Sequence, residues 1–135
     1  MDMLLDTNVI LRHLVRDDSP QADAARRLFA TAERLVLLDI IAAETLYVLQ
    51  SFYKRPRSEI ALVLRALMAM PNVTCPGESI LNRALDLFEG KKMDFPDAYL
   101  VAVAESPHAP AIAIATFDKG LKKAGTATVV NPSTM

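Results

Sequence analysis

Five short runs of apolar and β-branched residues recur along the chain, and stretches with helical spacing separate them. The runs are Met3–Leu5, Leu35–Leu38, Val73–Cys75, Ala111–Thr116 and Thr126–Val130. Antiparallel neighbours can be joined by a tight turn, whereas parallel strands need a long crossover, usually a helix. Strands that alternate with helices therefore predict an α/β chain with a parallel sheet flanked by helices. A run that is apolar throughout, such as Leu35–Leu38, suits a sheet covered on both faces. With no internal repeat, low-complexity tract or linker, the 135 residues fit one domain, residues 1–135.

Local signals place the helices. The first is expected from Asn8 to about Arg16, and a second starts at Ser19-Pro20, with Ser19 as N-cap and Pro20 where a missing N–H costs nothing. Ala24, Ala25, Leu28, Phe29 and Ala32 give it one buried face, and Asp23 with Arg27 is expected to pair on its surface. Asp39 is expected to cap a helix over Ile40–Tyr53, and Ser58 with Glu59 to start another that Pro71 ends. Pro76-Gly77 leads into a helix closed by Gly90, and Asp94 is the expected N-cap of a last long helix carrying Pro96 in its first turn.

Four acids interrupt or end these apolar segments: Asp6, Glu44, Asp97 and Asp118. Asp6 and Asp118 end strands, at the edge where open α/β sheets bind ligands. Glu44 is the one charged residue between Ile40 and Tyr53, and Asp97 shares a helix face with Val101 and Ala104. Each has a plainer reading: Asp6 as an N-cap, Glu44 as a buried partner of Arg12, Asp97 as part of a cap with Asp94, and Asp118 as the cap of a final turn. Capping does not explain a mid-helix Glu44. Carboxylates held together repel one another unless a cation neutralises them. Oxygen ligands without a His or Cys cluster select Mg²⁺ or Mn²⁺ over Zn²⁺. His13 and His108 lack zinc-motif spacing and are expected at the surface. Mg²⁺ held by acids suits phosphate-ester chemistry, because it polarises the phosphoryl oxygen and activates a bound water.

A net charge of -1 announces no global nucleic-acid surface, so any basic surface must be local. Arg12, Lys91, Lys92, Lys119, Lys122 and Lys123, near the acids in sequence, are candidates for tracking phosphates, or simply solvated helix faces. The single cysteine, Cys75, excludes an internal disulfide framework and reads as a small buried hydrophobe. With no basic segment at the N-terminus and no apolar run of membrane length, a cytoplasmic protein without membrane partners is expected.

Leu4-Leu5-Asp6-Thr7-Asn8-Val9-Ile10-Leu11, the Glu44 helix, Asp94-Phe95-Pro96-Asp97-Ala98-Tyr99-Leu100 and Ala115-Thr116-Phe117-Asp118-Lys119 resemble, in this order, the motifs of the PIN-domain ribonucleases. In length and style the chain is most similar to VapC-type toxins of toxin–antitoxin pairs. The resemblance covers essentially the whole chain. It implies a PIN-like domain with strand order 3-2-1-4-5, whose reversal between strands 1 and 4 puts Asp6 and Asp118 beside the ligand crevice. It further implies Mg²⁺- or Mn²⁺-dependent cleavage of RNA, a homodimer, and a cognate antitoxin that blocks the site. Asp6, Glu44, Asp97 and Asp118 match the family's four acids, with Asp6 and Asp97 the firmest metal ligands. Asn8 and Thr116 match the polar residues that support them, and Asp94 an acid often present. Pro96 replaces a residue that is more usually small, and leaves Asp97 in register.

A haloacid-dehalogenase-like phosphatase is the nearest enzymatic rival. It needs acids after a later strand, yet no Asp or Glu follows Asp118. A receiver domain expects an acid ending the third strand, where Val73-Thr74-Cys75 offers none. An RNA-binding PIN relative that does not cut is the third alternative.

Overall fold

The computed structural model describes residues 1–15, 17–107, 112–121 and 124–135. Arg16, His108, Ala111, Lys122 and Lys123, named above, lie outside the described residues. Met1–Glu78 and Ser79–Met135 form two compact units.

In the first unit the order is β1 (Asp2–Leu4), α1 (Thr7–Leu14), α2 (Pro20–Thr31), β2 (Arg34–Val36), α3 (Asp39–Ser51), α4 (Arg57–Met68) and β3 (Val73–Thr74). The strands pair in the order β1-β2-β3, both pairs parallel, with Met3 opposite Leu35 and Leu35 opposite Val73. Each crossover carries two helices, as a parallel sheet requires. Ladder hydrogen bonds continue past the strand ends: the Leu5 N–H donates to the Val36 carbonyl (2.9 Å) and the Leu37 N–H to the Thr74 carbonyl (2.9 Å). Ile10, Phe29, Leu35, Leu37, Leu46, Ile60 and Leu64 are buried.

The second unit holds α5 (Glu78–Gly90, beginning on the last residue of the first unit), α6 (Phe95–Glu105), β4 (Ala113–Ala115), β5 (Thr128–Val130) and a 3-10 turn, Pro132–Thr134. β4 and β5 pair in parallel, Ile114 opposite Val129, and the Thr116 N–H donates to the Val130 carbonyl (3.0 Å). Leu81, Leu85, Phe88, Phe95, Val101 and Ile114 are buried, and the Phe88 and Phe95 rings meet edge-on at 6.3 Å. The expected strand order is thus present as its two parts, 3-2-1 in one unit and 4-5 in the other. No helix among the described residues is long and apolar enough to cross a membrane.

Several local expectations are corrected. The Met3–Leu5 run is not buried throughout: Leu5 is buried and Met3 half-buried, but Leu4 is 68% exposed. Alternation along a strand puts Leu4 on the opposite face from the other two. Asp23 pairs with Arg26 rather than Arg27, one of the two spacings that bring helix side chains together. Asp39 is the first residue of α3, and Leu38 holds the N-cap position. Gly90 is the last residue of α5 and has ordinary backbone angles; the left-handed conformation falls two residues later, on Lys92 (φ 54°). His13 is half-buried, not a surface residue, and stacks on Phe29 with ring centres 4.1 Å apart. Ser19 caps as expected, its hydroxyl accepting the Ala22 N–H (3.1 Å).

Candidate active site

The four acids divide two to each unit, Asp6 and Glu44 in the first, Asp97 and Asp118 in the second. Asp6 follows β1 directly and occupies the N-cap position of α1 in extended conformation (φ -93°, ψ 149°). Its backbone carbonyl accepts the N–H groups of Val9 (3.1 Å) and Ile10 (3.2 Å), but its carboxylate makes no capping bond. The capping explanation therefore accounts for the position of Asp6 and not for its acid. Asn8, one residue into the helix, is exposed.

Glu44 is exposed on α3, whose buried residues are Ala42, Thr45, Leu46 and Leu49. Ile40 and Tyr47, one turn away on either side, are 73% and 66% exposed. The anomaly of this helix is therefore not a buried acid, but large apolar side chains left in solvent beside an exposed one. Arg12 is not its partner: the Arg12 guanidinium pairs with Asp17 at 3.2 Å.

In the second unit, Asp94 takes the N-cap position of α6 as expected, without a side-chain capping bond. Asp97 lies in the first turn and is half-buried. Burial pushes its carboxyl above the ordinary range, and the charges of Asp118 and Asp94 push it further in the same direction. Asp97 is thus within electrostatic reach of two further acids. Asp118 follows β4; its N–H donates to the Thr116 hydroxyl (3.0 Å), and its Oδ1 accepts the Gly120 N–H (2.8 Å). Thr116 so holds the backbone that carries the acid. Lys91, Lys92 and Lys119 are exposed.

Asp118 also lines a cleft of about 700 Å³ at the carboxyl ends of β4 and β5, together with Thr116, Lys119, Asn131 and Thr134. Asn131 and Thr134 are not among the site residues expected from the sequence. The available signal was Asn131-Pro132, a turn pair directly after an apolar strand.

Among the described residues, no three Asp, Glu, His or Cys side chains come close enough to hold a metal ion. Asp6, Glu44 and Asp118 are exposed. The donor chemistry still fits a hard cation. Asp97 is the decisive group: a partly buried carboxyl facing two further acids is stabilised in its charged form by a positive ion.

The PIN domain family model matches residues 3–127. The chain belongs to the PIN domain family. PIN domains are generally nucleases that use divalent metal ions, so the match supports a phosphodiester-hydrolysing enzyme. All four acids, Asn8, Thr116 and Asp94 lie inside the matched stretch, whereas Asn131 and Thr134 lie beyond it. No curated protein matches the chain.

Proposed function

We propose that this PIN domain is a Mg²⁺- or Mn²⁺-dependent endoribonuclease, the toxin of a VapBC-type pair, acting in the cytoplasm as a homodimer restrained by a cognate antitoxin. The observation that supports the reading is the PIN family match over residues 3–127, a stretch that holds Asp6, Glu44, Asp97 and Asp118 in the order the sequence resemblance expects; burial and the charges of Asp118 and Asp94 push the Asp97 carboxyl above its ordinary range. Asp6 and Asp97 would hold the ion, and Glu44 and Asp118 would complete the shell directly or through water. When bound, the ion supplies Lewis acidity at the phosphoryl oxygen and a water of lowered pKa. Thr116 fixes the Asp118 backbone, while Asn8 and Asp94 stand beside Asp6 and Asp97 as supporting polar groups. Lys91, Lys92 and Lys119, together with Lys122 and Lys123, would give the salt-sensitive part of RNA affinity. Arg12 joins them only by releasing Asp17.

Incubation of the purified protein with structured RNAs in Mg²⁺, Mn²⁺ or chelator tests the reading. Scission at defined positions that needs the metal is expected. Release of phosphate from small esters with RNA left whole would overturn it in favour of a phosphatase. Metal-independent binding without scission would favour a non-cutting PIN relative.

A further inference from the structure

The turn that follows β5 builds one wall of the cleft that Asp118 and Thr116 line from the other side. Ser133 donates to the Asn131 Oδ1 twice, from its N–H (2.9 Å) and its hydroxyl (2.6 Å). An amide oxygen bound by two donors leaves the NH₂ group as the hydrogen-bonding capacity that Asn131 still offers. The Thr116 oxygen accepts the Asp118 N–H, which leaves its own hydroxyl hydrogen as a donor. Lys119 adds an ammonium group to the same lining. Three kinds of donor and one carboxylate therefore belong to residues that line a space whose volume is typical of ligand pockets.

We infer that this cleft binds the sugar–phosphate backbone of a single-stranded nucleic acid, with Asn131 and Lys119 as its phosphate contacts. Lys, Asn and Thr side chains are the usual phosphate contacts of nucleic-acid-binding proteins. A base is the poorer fit, because none of the described residues lining the cleft is aromatic and able to stack on it. Asp118, one of the four candidate acids, lines the subsite itself. The Asn131–Thr134 wall lies past the residues matched by the PIN family, so family membership does not supply it. The inference rests on the nuclease reading above.

Asn131→Asp isolates the contact. It keeps an acceptor for both Ser133 donors, and hence the turn, while replacing the amide donor by a negative charge. With a mixed-sequence 12-nucleotide single-stranded RNA as probe, KM is expected to rise about tenfold, the scale of a lost hydrogen bond to a charged group. Turnover at saturation and the melting temperature should stay near wild type. Lys119→Gln, a change at an exposed side chain, should flatten the slope of log affinity against log salt by about 0.7. If Asn131→Asp melts early, Lys119→Gln decides alone. Wild-type KM and salt slope in the variants of an active enzyme would overturn the cleft and leave the nuclease reading standing. So would a loss confined to turnover. Failure of the wild-type protein to cut any RNA would instead remove the nuclease reading, and this inference with it.

Discussion

At the level of single residues, the acids carry the testable content. Asp6→Asn keeps the size and the N-cap geometry of the side chain but removes its charge, so RNA cleavage is expected to fall by about 100-fold or more. That is the scale of losing one preorganised electrostatic group. An unchanged circular dichroism spectrum and an unchanged melting temperature in chelator would separate this loss from unfolding. Wild-type turnover by the variant would refute the assignment. Cys75 makes the opposite kind of prediction. It is buried, and burial, followed by the nearby Asp39 charge, pushes its thiol up to about 11. The thiolate is the reactive form, so at pH 8 the native protein should react with iodoacetamide far more slowly than the unfolded chain. The bland sequence reading of this cysteine is the one the structure supports. Glu44 went the other way. A lone acid among apolar neighbours reads as buried in sequence, but which neighbours face water depends on what packs against the helix.

At the level of elements, two polar clips join segments distant in sequence. The Asn72 amide donates to the carbonyls of Phe29 (2.9 Å) and Ala32 (3.1 Å), satisfying the C-terminal end of α2 from the start of β3. Asn72→Ala should lower stability by about 1–2 kcal/mol, read from the urea midpoint, because it leaves carbonyl groups without a donor. In the second unit, Glu105 at the end of α6 accepts from the Arg83 Nε of α5 (2.8 Å) and from the Thr126 N–H (2.9 Å). A Cβ at Gly125 would fall 2.1 Å from the Glu105 Oε1, so a side chain there would displace the carboxylate from this position. The Arg83 bond holds the Glu105 carboxyl below its ordinary value of 4.5. A group depressed in the folded state binds its proton more readily when unfolded. Its contribution is therefore full above 4.5 and is lost as the pH falls through the lower folded value. Glu105→Gln should accordingly cost about 1 kcal/mol at neutral pH, where Arg83 is partly solvated, and progressively less in acid. Denaturation midpoints at pH 7 and pH 3 would show the difference shrinking. Caps and turns near each helix could be anticipated, as Ser19 shows, because their bonds span three residues. These clips could not, since their partners are tens of residues apart.

For the whole molecule, metal binding is the property that the acids are expected to confer together. A ligand that binds only the folded chain stabilises it by about 2.7 kcal/mol at a hundred times its Kd. Mg²⁺ or Mn²⁺ should therefore raise the denaturation midpoint of the wild-type protein, and either Asp6→Asn or Asp97→Asn should abolish that rise. A midpoint indifferent to the ions would count against the metal. What the sequence by itself determined was the alternation of strand and helix, the parallel pairing that goes with long crossovers, and membership of the PIN domain family. Those are written in local periodicity and in residue type, which a chain carries before it folds. Only the tertiary structure decided which apolar side chains stay in water on α3. It alone brought Asn131 to the same cleft as Thr116 and Asp118. The physical reason is that both depend on lateral packing. Pairing β4 with β5 joins residues that no short-range pattern connects, and exposure is fixed by the neighbours a side chain finds after folding.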